Sequence, residues 1–189
     1  MNILNIAANG KFDVKLIHPS VTSAILDLRK LCLSYYDCIF DTSKSQALNI
    51  KDRKRGTTIT LYSSGKFWIF GAKNFEAVKA STKKIERLIK KNNYIATLTE
   101  YPAIRNITAS LDYSDRVKSN LNESVLSKAG FDKYRQPSEL QNTFCIKVFE
   151  TTVKIFPTGL LQIFCAKSFE ELNRIEDFVQ TLFENSGLI

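Results

Sequence analysis

Histidine is almost absent from this chain: His18 is the only one in 189 residues, and the four cysteines, Cys32, Cys38, Cys145 and Cys165, include no CxxC pair. A zinc site needs a closed set of such ligands at short spacings, so no metal is expected. Cys145 and Cys165 fall in strand patterns and read as small apolar residues of a reduced, intracellular protein. Long apolar runs are missing too. No window approaches the roughly 20 residues that cross a bilayer, and the first residues show no charged stretch leading into an apolar segment and cleavage site. The expectation is a soluble intracellular protein with no membrane partner. Paired carboxylates, a nucleophile beside a base and a phosphate-cradling glycine loop are likewise lacking in any credible context, so the chain reads as no enzyme, with no catalytic residue and no cofactor.

What is abundant is positive charge. Lys and Arg number 27 against 19 Asp and Glu, a net charge of +8 with an isoelectric point near 9.3. Such a balance favours an acidic partner, and nucleic acid over membrane, because no strongly amphipathic basic helix dominates. A merely solvated basic surface accounts for the charge equally well at this point. The hydrophobic content of 44% is enough for a real core.

Two stretches echo each other: Thr57 to Ala77, TTITLYSSGKFWIFGAKNFEA, and Thr151 to Leu172, TTVKIFPTGLLQIFCAKSFEEL. Ile69, Phe70, Ala72, Lys73, Phe75 and Glu76 recur as Ile163, Phe164, Ala166, Lys167, Phe169 and Glu170, each 94 positions later without a gap. The period is too long for a solenoid, so the expectation is one domain of two similar halves, 1–94 and 95–189. Each copy reads as two strands joined by a tight turn. Alternation places Ile59, Leu61, Phe67 and Ile69 on one face, with Thr60, Tyr62, Trp68 and Phe70 on the other. The second copy gives Val153, Ile155, Leu161 and Ile163 against Lys154, Phe156, Gln162 and Phe164. The first set in each copy is core, and the mixed aromatic and polar set suits a surface that meets a partner.

In chain order, Leu4 to Phe12 is expected to begin as a short strand and turn at Asn9 and Gly10. Ser20 caps an amphipathic helix carrying Val21, Ala24, Ile25, Leu28, Leu31 and Cys32. Tyr35 to Lys44 reads as loop and Gln46 to Lys51 as strand, before a basic turn, DRKRG. A long helix opens at Asn74 with Val78, Ser81, Ile85, Leu88 and Ile89 as its stripe; its lysines read as a solvated face. Ile95 to Pro102 links the halves and Ala103 to Leu111 restarts the pattern. A short helix over Val117 to Leu126 ends at Gly130, Tyr134 to Leu140 is loop, Thr143 to Val148 is strand, and Phe169 to Glu184 is the last helix. Each half is strand, helix, strand, hairpin, long helix.

This order, with SSGKFWIFGAK before a long helix and IRNI heading the second half, resembles the TATA-box-binding protein family over nearly the whole chain. The family's hairpin motif, roughly FxSGKxxxTGAK, is matched by Tyr62 to Lys73 and more loosely by Phe156 to Lys167. Its head motif QNIV is matched by Leu4 to Ala7 and Arg105 to Thr108, and its YEPELF-like loop by Tyr134 to Gln141. The resemblance implies an α+β fold: a saddle-shaped curved antiparallel sheet with a pseudo-twofold repeat and helices on the convex face. It implies binding of double-stranded DNA through the minor groove, A·T-rich by preference, with phenylalanines wedged into base steps. Partners would be other general transcription factors and the RNA polymerase machinery, in the nucleus if the source is eukaryotic.

Carried over residue by residue, the resemblance places Tyr62 and Phe156 at the wedge position of each hairpin, while the second wedge of each pair falls on Ser45 and Gln141, which cannot intercalate. Asn5 and Asn106 match the paired asparagines that hydrogen-bond base edges. Lys51 and Lys147 match backbone-contacting arginines, and Lys66, Lys73 and Lys167 keep motif lysines whose fourth counterpart is Leu160. Thr60 shares the DNA-facing side. Trp68 and Gln162 replace small valines on the sheet floor, and Phe70 and Phe164 replace threonines beside the asparagines. Those bulky replacements are expected to relax or abolish ordinary TATA reading. Two readings therefore stand: a divergent promoter-binding initiation factor, and a protein-interaction scaffold that keeps the fold and turns its aromatics to a protein partner.

Overall fold

The computed structural model describes residues 1–17, 25–43, 45–136 and 143–189. They form two compact units, one of residues 5–105 and one of residues 1–4 with 106–189.

The unit of residues 5–105 is built on strands β1 (Asn2–Leu16), β2 (Cys38–Ile39), β3 (Ala47–Asp52), β4 (Thr57–Tyr62), β5 (Lys66–Ala72) and the first part of β6 (Tyr94–Asp112), with helices α1 (Leu28–Leu33) and α2 (Phe75–Lys91). The strands are ordered β2-β3-β4-β5-β1-β6. The β4–β5 hairpin pairs Ile59 with Ile69, Thr60 with Trp68 and Leu61 with Phe67, as the alternation predicts. Its turn closes through the Gly65 amide on the Tyr62 carbonyl at 3.0 Å, with Gly65 at φ +81°. A side chain there would be strained by the backbone and would also strike the Phe12 carbonyl oxygen, 2.1 Å from its Cβ.

Asn74 caps α2, its side chain accepting from the Ala77 amide at 2.8 Å. The stripe Val78, Ser81, Ile85, Leu88 and Ile89 is buried. Each large apolar side chain of that stripe contributes about 1.5–3 kcal/mol on burial, against about 1 kcal/mol for the cap, so packing holds the helix on the sheet and the cap sets its start. Within that interface Thr57 Oγ1 and Ser81 Oγ share a buried hydrogen bond of 2.9 Å.

Four expectations change here. No turn interrupts β1 at Asn9 and Gly10; Gly10 pairs with Phe67, and a Cβ would lie 2.6 Å from the Phe67 ring and 2.7 Å from the Glu100 carbonyl oxygen. Its glycine answers to close packing in a strand, not to a turn. The first helix is short and capped by Asp27, which accepts from the Lys30 amide at 3.0 Å, with Leu28 and Leu31 buried. Ile25 is 78% exposed, and Ser20, Val21 and Ala24 lie outside the described residues. The Tyr35 to Lys44 loop contains β2. Finally, Ile95 to Pro102 is no linker but part of β6, whose 19 residues run without a break into the restart at Ala103.

The second unit repeats the plan with the end of β6, α3 (Glu123–Lys128), β7 (Arg135–Gln136), β8 (Phe144–Val148), β9 (Thr151–Ile155), β10 (Leu160–Ala166) and α4 (Phe169–Asn185), strands ordered β6-β10-β9-β8-β7. Its hairpin turn closes on the Gly159 amide and Phe156 carbonyl at 3.0 Å, the same bond 94 residues on. Leu172, Ile175, Val179 and Phe183 of α4 are buried. The short helix begins later than expected, at Glu123 behind an Asn122 cap, because Val117 instead packs in a turn against Gly159. Tyr134 closes a 3-10 turn that leads into β7, and the remainder of the expected loop, 137–140, lies outside the described residues.

Candidate nucleic-acid interface

In each unit the long helix covers one sheet face, and the opposite face carries the residues singled out above. In the unit of residues 5–105, cross-strand register lines up Asn49, Thr60, Trp68 and Asn9 on successive strands. All four are half-buried. Thr60 Oγ1 donates to Asn49 Oδ1 at 2.9 Å and Arg105 Nε to Asn9 Oδ1 at 2.7 Å. The next row is Lys51, Thr58 and Phe70. The Trp68 and Phe70 rings stack 5.8 Å apart and 6° from parallel. Tyr62 ends the hairpin arm at 39% exposure and edges a shallow cleft of about 350 Å³ with Asn9, Lys66, Trp68 and Glu100. Lys66 and Lys73 stand exposed at the two ends of β5.

In the other unit the matching row is Lys147, Thr152 and Phe164. Lys147 thus stands to Phe164 as Lys51 does to Phe70, the two strand pairings making the same row. Lys147 is ion-paired with exposed Glu150 at 3.1 Å. Phe164, expected on the surface, is only half-exposed: the Lys154 ammonium lies 5.1 Å from its ring centroid. Phe156 and Gln162 are also half-buried, and Leu160 likewise. The Lys167 side chain is exposed, and its amide donates to Glu171 Oε2 at 2.8 Å. The Thr151 hydroxyl donates to the same carboxylate at 2.6 Å, and these two bonds hold the Glu171 carboxyl below its ordinary range.

Of the residues expected to lack wedge chemistry, Ser45 is exposed and turns its hydroxyl to the Ala47 carbonyl at 3.4 Å; Gln141 lies outside the described residues. Asn5 Oδ1 accepts from the Gly71 amide at 2.6 Å. Asn106 differs, with Nδ2 3.8 Å from Cys165 Sγ and Oδ1 buried without a partner among the described residues. Cys165 is not a core residue as its strand pattern implied; it is exposed at φ +66°, in the bulge where β10 slips register against β6. Sequence reasoning passed over Asn9, Asn49 and Arg105 as site residues. The signal for Asn9 was present, since Asn5, Ala7 and Asn9 alternate with the buried Ile6 and Ala8.

Charge is divided unequally. Residues 5–105 hold eighteen Lys and Arg against eight Asp and Glu, and the other unit nine against eleven. Much of the excess borders a cleft of about 810 Å³ on the helix side of the first unit, lined by Tyr35, Tyr36, Arg53, Lys54, Arg87 and Lys91 among others. The expected solvated face of α2 is therefore incomplete: Lys84 is half-buried there, 3.7 Å from the buried carboxylate of Asp52 and 4.8 Å from the Tyr35 ring centroid. Among the described residues no cluster of His, Cys, Asp or Glu suits a metal ion, and no helix is long and apolar enough to cross a membrane.

An antiparallel sheet with a helix packed on one face of each repeat defines an α+β fold, and comparison identifies which. The solved structure of Methanococcus jannaschii TBP superposes with a TM-score of 0.76 over 97% of this chain and 98% of that one, at 19% identity. Residues 1–92 match the family model described as Transcription factor TFIID (or TATA-binding protein, TBP). TATA-box-binding protein 1 of Triticum aestivum is 25% identical over 85% of this chain, and the TATA-box-binding protein of Caenorhabditis elegans 31% identical over 46%. The chain spans 64% and 25% of those two proteins' lengths. The chain has that family's fold and is similar to it in sequence.

Proposed function

We propose that this chain is a DNA-binding initiation factor that binds and bends promoter duplexes through the minor groove and nucleates assembly of a transcription preinitiation complex. The repeats 1–94 and 95–189 each contribute one contact surface. The reading rests on one observation above all: in both units the sheet face opposite the long helix aligns a lysine, a threonine and a phenylalanine in one cross-strand row, with a further aromatic, Tyr62 or Phe156, at the hairpin end. Apolar wedges with cations nearby suit minor-groove bending, since unstacking a base step costs a few kcal/mol that stacking and added contact must offset. Asn5, Asn106, Thr60, Trp68 and Gln162 face the groove floor, and Lys51, Lys66, Lys73, Lys147 and Lys167 meet phosphates. The protein works as a binder, not an enzyme, and in the nucleus if its source is eukaryotic.

The test is a fluorescence bending assay on A·T-rich and G·C-rich duplexes. Phe156→Ala should reduce the bend more than it reduces nonspecific affinity, because wedge and phosphate contacts are separate contributions. Binding that leaves every duplex straight would refute the reading.

A protein partner has a different candidate surface from the sheet-face aromatics of the scaffold reading, namely the helix-side cleft of the first unit. Its cations and tyrosines suit an acidic protein segment such as other initiation factors would present. That surface is separate from the sheet face, so the two activities are compatible.

A further inference from the structure

The two asparagines lie beside equivalent bulges but are held differently, and the bulge residues differ, Gly71 in one and Cys165 in the other. In β5 the bulge passes through Phe70 and Gly71, with register slipping between Ile6 and Ala8 of β1; in β10 it passes through Phe164 and Cys165, slipping against β6 in the same way. Both bulge residues have positive φ, +84° at Gly71 and +66° at Cys165. At Gly71 the absence of a side chain matters: a Cβ would stand 2.6 Å from the Gly56 carbonyl oxygen. The bare backbone turns its amide onto Asn5 Oδ1. Cys165 carries the Cβ that Gly71 lacks, and there Asn106 gains only a 3.8 Å approach of Nδ2 to sulfur while its oxygen stays buried and unpaired among the described residues.

The chemical consequence concerns what each carboxamide can offer. Asn5, its oxygen engaged by a strong amide donor, has only its NH2 to give. Asn106 loses no strong bond when its amide turns over, since thiols are weak partners, and so it can present either NH2 or oxygen. The minor groove offers acceptors on every base pair and one donor, the guanine 2-amino group. We infer that Cys165 makes the second unit permissive for G·C: Asn5 rejects a guanine 2-amino group, whereas Asn106 accepts from it. This assignment rests on the minor-groove reading above and makes Cys165 a positioning residue for specificity.

Two measurements test it and separate its failure from that of the DNA-binding reading. In the free protein, amide hydrogen exchange at Gly71 should accelerate in Asn5→Ala, while exchange at Cys165 should be unmoved by Asn106→Ala. A Cys165 amide that Asn106→Ala deprotects as strongly would overturn the inference alone. On DNA, an A·T-rich duplex is scanned one pair at a time with G·C and then inosine·C, which lacks the 2-amino group. At the pair sensed by Asn5, identified through Asn5→Ala, G·C should weaken binding about tenfold and inosine·C restore it; at the pair sensed by Asn106, G·C should bind within about threefold of A·T. Cys165→Gly, which places at this bulge the residue the other bulge already accommodates, should create the missing penalty. Equal penalties at both pairs in the unaltered protein, or a Cys165→Gly profile identical to it, would overturn the inference. Absence of binding to any duplex despite the exchange contrast would overturn the DNA-binding reading and this assignment with it.

Discussion

The ammonium of Lys154 sits 5.1 Å from the centroid of the Phe164 ring, on the sheet face opposite α4. A phenylalanine covered by a cation is not a freestanding wedge. On the proposed reading it props the groove floor away instead of entering a base step. Phe164→Thr should therefore sharpen preference for A·T over G·C duplexes in competition binding and leave total affinity in place. If the substitution abolishes binding instead, the ring is itself an anchor for the partner.

The lysines should not contribute equally to salt dependence. Lys66 has an exposed side chain at the start of β5, whereas Lys147 is already paired with Glu150. Replacing Lys66 with alanine should lower the slope of log affinity against log salt by roughly one unit. Lys147→Ala should lower it by less, because a paired lysine releases fewer counterions on binding, and Glu150→Ala should raise it. Identical slopes for the two lysine variants would show that the ion pair is irrelevant in solution.

How far the sequence reached follows from which forces set each element. The hairpins, α2 and α4 were legible because side-chain period and burial coincide there: Ile59, Leu61, Phe67 and Ile69 are all fully buried, as alternation requires. Asn74 and Ser168 cap the two long helices at the positions their side chains suggest. Gly10 misled because a glycine chosen for the ring of Phe67, 57 residues away, looks the same in sequence as a glycine chosen for a turn. The linker reading of Ile95 to Pro102 failed similarly, since its exposed Thr97 and Thr99 lie on one face of a strand whose partner is not nearby in sequence. At the site, Phe70 and Phe164 share their motif positions, yet Lys154 covers only the second. No local pattern separates Asn5 from Asn106; only the bulge opposite each shows that one amide is held and the other is not.

The buried Thr57–Ser81 bond gives a stability prediction. Thr57→Val keeps the shape but strands the Ser81 hydroxyl in the α2 interface, which should cost about 1–3 kcal/mol. Urea unfolding should show a lower midpoint with unchanged slope, and adding Ser81→Ala should recover most of the loss. A Thr57→Val midpoint equal to that of the unaltered protein would mean the serine finds its own helix carbonyl and the pair contributes little.

Acid stability should depend on Thr151. Its hydroxyl, more than the Lys167 amide, lowers the Glu171 pKa. A carboxyl depressed in the folded state stabilises the fold at pH values above its unfolded pKa, and that contribution is lost as pH falls through the folded value. Thr151→Val should raise the Glu171 pKa towards its ordinary value, read by carbon-13 NMR titration, and should flatten the fall of melting temperature on the acid side. An unmoved Glu171 titration would assign the shift to the Lys167 amide.

The uneven division of cations between the units also has a kinetic side. Diffusional approach to a polyanion is governed by long-range field, and that field comes from residues 5–105, with their eighteen basic side chains against eight acidic. On the proposed reading, the first encounter with DNA therefore belongs to that unit. The aromatic rows, which both units carry, would act only at short range, once contact is made. Raising ionic strength should slow arrival at that unit more than it hastens departure from the aromatic rows.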